Sequence, residues 1–264
     1  MNGRLKIRLL GCGSSGGVPL SNGEWGACDP ANPRNQRTRP SVLVEAGDGR
    51  TLVIDTSPDF RVQAAAAGLR RVDAVLYTHG HADHTHGIDD LRAFNFTSRA
   101  PIPAYGTAET LESLSSRFSY VFDIDKDNGT GRLGPALIGQ TIAYGQRFSA
   151  AGLDILPFRQ SHGPAGETTG YRIGRFAYST DVVELEETAF AALDGLDLWI
   201  VDCLRQEPHP THSHLARSLE WIARVGPRQA WLTHMSHATD YAVIAALCPP
   251  GVVPGHDGLE MMVE

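Results

Sequence analysis

The segment that most limits what this 264-residue chain can become is Thr78-His79-Gly80-His81-Ala82-Asp83-His84. Residues 74–77 before it are compact and apolar, as a short buried strand is. Residues 87–94 after it carry apolar positions at the spacing of a helix with one buried face. Three histidines and an aspartate therefore crowd a strand-to-helix turn, where rigid elements hold side chains and the turn leaves them exposed. In extended chain, residues two apart point to one side, so His79 and His81 share a face. Asp83 and His84 follow after the chain has turned and reach a different point in space. The pattern reads as two metal half-sites side by side, His79 with His81 and Asp83 with His84. The plainer alternative, a polar helix cap with solvated histidines, leaves the density of ligand-type residues unexplained.

His-x-His-x-Asp-His after a strand resembles the signature of the metallo-β-lactamase superfamily. Gly11-Cys12-Gly13-Ser14-Ser15-Gly16-Gly17-Val18-Pro19, Ile54-Asp55-Thr56-Ser57-Pro58-Asp59-Phe60-Arg61 and Tyr178-Ser179-Thr180-Asp181 resemble one branch of it. That branch contains phosphoribosyl cyclic phosphate phosphodiesterase of the carbon–phosphorus lyase pathway, and the likeness spans nearly the whole chain. It implies a four-layer αββα sandwich. Periodicity gives only the coarser expectation of an α+β layered domain, since strand-rich and helix-rich segments alternate.

At 42% hydrophobic the chain has the core for one large domain over residues 1–264. A net charge of −7 argues against a general nucleic-acid surface. Residues 1–10 are broken by Arg4, Lys6 and Arg8 and lack the apolar core of a signal peptide, and no stretch has the apolar length to cross a membrane. Cys12, Cys28, Cys203 and Cys248 show no C-x-x-C spacing, which suits reduced thiols and a cytoplasmic location.

Residues 5–10 alternate as a half-buried strand does. They enter Gly11-Cys12-Gly13-Ser14-Ser15-Gly16, a formal match to the dinucleotide-binding G-x-G-x-x-G. Gly17-Val18-Pro19 prevents the helix that fingerprint needs. What remains is a glycine-rich loop whose N–H groups face an anion, or a tight turn passing under another loop. Residues 20–40 form a long ordered loop or flap, whose Arg34, Arg37 and Arg39 reach substrate phosphate or are solvated, the solvated role being favoured. Some relatives carry a structural zinc in this region, bound by several cysteines and a distant histidine. This chain keeps only Cys28, with His237 as the matching histidine, too few donors for a third metal.

A hairpin is expected over residues 41–45 and 51–55, a helix over 60–69, a strand over 102–105 and an amphipathic helix over 109–122. Residues 123–139 read as a polar excursion, a candidate lid. A strand over 153–158 delivers His162, and a hairpin over 169–173 and 175–179 ends at Asp181. A buried strand over 198–201 leads to Asp202. A helix over 214–225, a strand over 230–232 ending beside His234, and a helix over 241–247 complete the chain. His162, Asp181 and His234 each follow a strand, as a site at one rim of a sandwich requires.

With the resemblance, the ligand set closes: His79, His81 and His162 on one divalent ion, Asp83, His84 and His234 on the other, Asp181 bridging. Asp55 would orient a metal-binding histidine from behind. Five nitrogen and two oxygen donors accept zinc, manganese or iron; the affinity order favours zinc, and relatives make manganese a contender. Two ions, two aspartates and a bridging hydroxide leave about +1, which suits an anionic substrate. Asp83 counts as a catalytic residue as well as a ligand. His214 opens a helix where relatives carry an active-site histidine, and is taken as the general acid. His86 reads as solvated, His256 as structural in a turn, and His209 and His212 as members of a Pro-rich loop for which contact with substrate is the lesser alternative; His212 is the second candidate for the acid, the resemblance favouring His214. The expected activity is hydrolysis of a small cyclic or nucleotide-like phosphodiester by metal-bridging hydroxide. A tRNA-processing-type nuclease and a non-catalytic carrier related to cofactor biosynthesis are the alternatives. Relatives suggest a homodimer and no membrane partner.

Overall fold

The structure, a computed structural model, describes residues 3–123 and 136–264. Two seven-stranded sheets face each other. The first contains β1 (Leu5–Gly11), β2 (Ser41–Ala46), β3 (Thr51–Ile54), β4 (Ala74–Leu76), β5 (Ile102–Gly106) and β6 (Leu137–Thr141). The second contains β7 (Phe148–Ala150), β8 (Leu153–Ser161), β9 (Glu167–Ile173), β10 (Phe176–Ser179), β11 (Leu198–Asp202), β12 (Gln229–Thr233) and β13 (Val252–Pro254). The chain then returns to the first sheet, where β14 (Glu260–Val263) pairs antiparallel with β1. The strand orders are β14-β1-β2-β3-β4-β5-β6 and β13-β12-β11-β10-β9-β8-β7.

The period-two pattern of the first sheet explains the layering. Leu5, Ile7, Leu9, Val42, Val44, Leu52, Ile54, Ala74 and Leu76 join the core shared with the second sheet. Their neighbours Leu10, Leu43, Val53 and Val75 face outward onto a separate core. Phe60 and Ala64 of α1 (Phe60–Ala66) and Leu114 and Val121 of later helices close that outer core. Trp221 and Ile222 of a helix over Leu215–Val225, with Ile244 of one over Tyr241–Leu247, pack on the second sheet. The result is an αββα sandwich.

Each sheet has an antiparallel and a parallel half. β3, β4, β5 and β6 run parallel, as do β10, β11, β12 and β13. Parallel strands deliver their carboxyl ends to one edge, and that edge collects the site.

Several elements depart from the sequence expectation. The segment 87–94 is a 3₁₀ turn over Ile88–Leu91 leading into a helix over Arg92–Ser98. The helix expected over 109–122 is two helices, Ala108–Arg117 and Ser119–Phe122, broken at Phe118 (φ −123°, ψ 45°). Serines surround the break, and Ser115 Oγ donates to the Glu112 carbonyl, the local competition that weakens a helix. Of the excursion over 123–139, residues 124–135 lie outside the described residues, and from Leu137 the chain is β6. Only Leu137 of that edge strand is buried, so its sequence shows no alternation to read. Among the described residues no helix is long and apolar enough to cross a membrane.

Candidate metal centre

Strand ends build the rim. β4 ends at Leu76; Tyr77 N–H then donates to the Tyr105 carbonyl and Thr78 N–H to Asp55 Oδ1, 2.8 Å. His81 lies in extended chain, and a single helical turn, Ala82–Thr85, starts after it and carries Asp83 and His84. Arg117 holds the turn from outside, its Nη2 2.6 Å from the Gly80 carbonyl. His162 follows β8, Asp181 follows β10, and His234 follows β12. Asp55, Asp181 and His234 all adopt left-handed backbone, φ 61°, 54° and 59°. Such conformations cost roughly 1–3 kcal/mol each in a non-glycine residue and gather where a site over-determines them. Here each one turns a side chain inward at a strand end.

The donors fall into three groups, one of them Asp202, His212 and His234, and the other two overlap. His79, His81, His162 and Asp181 offer ligand atoms within 4.8 Å of one another, and so do Asp83, His84, Asp181 and His234. Asp181 belongs to both. Its Oδ1 lies 3.8 Å from His79 Nε2 and 3.6 Å from His162 Nε2, while its Oδ2 lies 3.1 Å from His84 Nε2 and 3.4 Å from His234 Nε2. The far nitrogens are held from behind. His84 Nδ1 meets Asp55 Oδ2 at 2.7 Å, His162 Nδ1 meets the Thr211 carbonyl at 2.7 Å, and His79 Nδ1 meets Thr78 Oγ1 at 3.0 Å. Asp55 thus stands where the resemblance put it, behind a cluster histidine.

Two observations fit this rim to divalent metal. His79 Nε2 is fully buried, points into the cluster and has no hydrogen-bond partner among the described residues; His84 Nε2, equally buried, faces only the carboxylates of Asp181 at 3.1 Å and Asp83 at 3.4 Å. An orphaned buried nitrogen is costly unless something else takes its lone pair. The charges agree. Burial opposes ionisation of Asp181, yet His234 and His84 hold it well below the carboxylate range. Asp83 is likewise held low against burial, by His84 and a hydrogen bond from His234. Burial, then His84, drives His79 well below its usual range, leaving its lone pair free. Burial also opposes charge on His84 and His234, but Asp181 and Asp83 outweigh it, raising His84 strongly and His234 to about 8. The metal-free cluster holds protons where a cation belongs.

His214, expected as the proton donor, stands at the start of the Leu215–Val225 helix, and its ring makes no hydrogen bond or ring contact among the described residues. His212 sits on the cluster. Its ring stacks on His234 at 4.7 Å and meets His162 edge-on at 4.8 Å. Its Nε2 lies 3.9 Å from Asp181 Oδ1 and its Nδ1 lies 3.1 Å from Asp202 Oδ2. The loop before the helix is tied down by the Thr211 carbonyl on His162. Sequence reading assigned Asp202 no role, although a buried aspartate at a strand end, as at Asp55 and Asp181, was the signal. His209 also lies nearer than expected, its ring 5.4 Å from that of His212. His86 is exposed, with Arg117 Nη1 3.5 Å from its Nε2, and His256 Nδ1 meets the Asp257 carbonyl.

The glycine-rich loop is a turn under other loops. Four of its N–H groups are spent: Gly13 to the Thr38 carbonyl, Ser14 to that of Met235, Val18 to that of Arg37, and Cys12 to Asp257 Oδ1. Of the three arginines Arg34 is exposed, as expected, while Arg37 and Arg39 are tied to protein partners. Arg37 is 2% exposed and bonds the Thr239 and Ser236 carbonyls and Asn35 Oδ1. Arg39 forks onto Asp59, and Arg34 stacks over Tyr241. Cys28 Sγ faces the carbonyls of His237 and Thr239, with the Arg37 guanidinium 3.9 Å away. A cation already occupies the ground beside that thiol.

Residues 50–235 match the model of the β-lactamase superfamily domain. The chain belongs to the metallo-β-lactamase superfamily. Within it, a crystal structure of a diphosphatase from the PhnP family is 34% identical with a TM-score of 0.89, covering 99% of this chain and 98% of that one. An octanoyltransferase of Porphyromonas gingivalis is 33% identical over 262 residues, 98% of this chain and 52% of that protein. Coenzyme PQQ synthesis protein B of Methylobacterium radiotolerans is 31% identical over 168 residues, 58% of this chain and 52% of that protein. The chain spans about half the length of these curated relatives.

Proposed function

We propose that this protein is a dinuclear metal-dependent hydrolase of small phosphoesters, a cyclic or nucleotide-like phosphodiester being the leading substrate class. The observation that carries the reading is Asp181, whose two carboxylate oxygens face two different sets of three donors. In this assignment His79, His81 and His162 hold one ion, Asp83, His84 and His234 the second, and Asp181 joins them. Histidine-rich donors favour zinc on affinity, with manganese as the alternative. When bound, two such ions supply an activated water and neutralise charge on the phosphoryl oxygens.

The chain's own residues do the rest. His212 presents Nε2 to the mouth of the cluster, while Asp202 Oδ2, already accepting from Val182 N–H at 2.9 Å, fixes Nδ1 as the inner, protonated nitrogen. In the imidazolium form the ring also carries Nε2–H, which passes to the departing oxygen and leaves the neutral ring protonated on Nδ1. An alkoxide is a poor leaving group, so this proton transfer is where a general acid contributes most. His212 therefore replaces His214 as the assigned acid. The substrate is a small anion, drawn to a positive cluster within an acidic chain. The PhnP-family diphosphatase, similar over nearly its whole length, supports phosphate chemistry and brings diphosphates into the substrate panel.

The test is metal analysis of the purified protein, followed by assay against bis-nitrophenyl phosphate, ribose cyclic phosphates and diphosphates. Two metals per chain and turnover of a phosphoester are expected. One metal, or inert phosphoesters beside turnover of a thioester or lactam, would overturn the reading.

A further inference from the structure

His209 lies one step outward from His212, and nothing in the mechanism above uses it. Its Nδ1 faces Thr211 N–H at 3.4 Å and Thr211 Oγ1 at 3.1 Å. A backbone N–H can only donate, so Nδ1 is an acceptor and the neutral ring carries its proton on Nε2. That Nε2–H has no protein partner among the described residues, and the ring is part-exposed at the rim.

The loop that carries the ring is fixed. Pro208 and Pro210 flank His209 and restrict the backbone on both sides. Arg205 bonds the Pro208 carbonyl at 2.8 Å and that of Glu207 at 3.2 Å. The Thr211 carbonyl is committed to His162. Gly163, at φ 62°, lets the Pro210 carbonyl settle against it; a Cβ there would lie 2.3 Å from that oxygen. A preset donor with no protein acceptor, one ring beyond the proton donor, lies on the side where the leaving group departs.

We propose that His209 is a substrate-binding residue whose Nε2–H donates to an oxygen of the leaving group, a sugar hydroxyl or a second phosphate. The inference rests on the phosphoester reading, and His209 would set affinity and leaving-group preference rather than the chemical step.

Two variants separate this from a structural role. His209→Gln keeps a donor near the place of Nε2 but loses the Nδ1 acceptor; His209→Asn keeps an acceptor for Thr211 but loses the outward donor. Calorimetry on the metal-loaded protein with inorganic phosphate, ribose 5-phosphate and methylenediphosphonate, whose P–C–P link resists hydrolysis, reads binding without turnover. His209→Asn should weaken ribose 5-phosphate or methylenediphosphonate by ~10-fold, the scale of one hydrogen bond, and leave inorganic phosphate unchanged. The ligand that weakens identifies the oxygen as hydroxyl or phosphate. His209→Gln should stay near wild type, and Michaelis constants should follow the same pattern with kcat held. The proposal is overturned if Gln is the damaging change, if all three ligands weaken together, or if wild type binds the larger ligands no tighter than inorganic phosphate. Failure of the phosphoester reading shows separately, as absence of hydrolysis by wild type.

Discussion

Replacing His212 with Ala removes a ring that lies on the cluster but belongs to neither of the two donor groups joined by Asp181. Its Nε2 stands 3.9 Å from Asp181 Oδ1, and its contacts with His162 and His234 are between rings. Metal content should therefore survive the substitution. A positioned general acid contributes ~100- to 10,000-fold. That corresponds to about 2.7–5.4 kcal/mol of barrier. The full loss should appear on an ester with an alkoxide leaving group, such as a ribose cyclic phosphate. A nitrophenyl ester, whose nitrophenolate leaves unaided, should lose little. Asp202→Asn should reproduce a smaller version, ~10- to 100-fold on the alkoxide ester, because Asn can present an N–H where Nδ1 needs an acceptor. His214→Ala should change neither substrate's rate by more than about two-fold, since its half-buried ring makes no hydrogen bond or ring contact among the described residues. The assay is steady-state kinetics on both esters for all three variants, with metal content measured in each. An alkoxide-specific loss in His214→Ala but not in His212→Ala would refute the assignment. Equal losses on both esters in His212→Ala, with metal intact, would reduce His212 to a binding residue.

Asp181→Ala should lower metal content and nearly abolish hydrolysis; two retained metals with normal turnover would refute the bridging role. Asp55→Ala strands Thr78 N–H, Thr78 Oγ1 and His84 Nδ1, all within 2.8 Å of its carboxylate. It should cost at least ~2 kcal/mol in denaturant unfolding. Metal affinity should also fall ~10- to 100-fold, and an unchanged metal titration would contradict the orienting role. Metal binding should release protons at neutral pH. His234 is raised to about 8 and His84 is raised strongly, and both must deprotonate to bind, so affinity should rise with pH through about 8. Calorimetry in buffers of different ionisation enthalpy counts the protons, and a count of zero at pH 7 would be inconsistent with the cluster described.

Much of the site could be read from the chain because the donors sit where strands end. His79, His81, Asp83 and His84 are adjacent in sequence, so extended chain followed by a helical turn fixes their division into two faces. His162, Asp181 and His234 could be nominated because each follows an apolar run, and a strand end is a local signal. The hairpins and the strands over β11 and β12 were likewise visible in short buried runs with clear ends. Edge elements were not. β6 buries one residue of five and β14 also buries one of its four, and a strand held by one neighbour needs little pattern of its own.

What the sequence determined alone is the chemistry of the donors and the alternation that makes two sheets with opposite faces. What tertiary structure decided is which of two equivalent histidines points inward. Thr211-His212-Ser213-His214-Leu215 offers both at the same spacing, and no periodicity tells them apart. The choice is made by long-range contacts: Asp202 from β11 taking His212 Nδ1 and His162 from β8 taking the Thr211 carbonyl, with His214 left at the helix start. The same holds for Arg37. In sequence it is a basic residue in a polar loop, but the fold closes segment 236–239 over it, so its hydrogen bonds go to carbonyls more than 190 residues away rather than to water or phosphate. Local patterns fix what a strand end carries; only the assembled rim fixes where each side chain can find a partner.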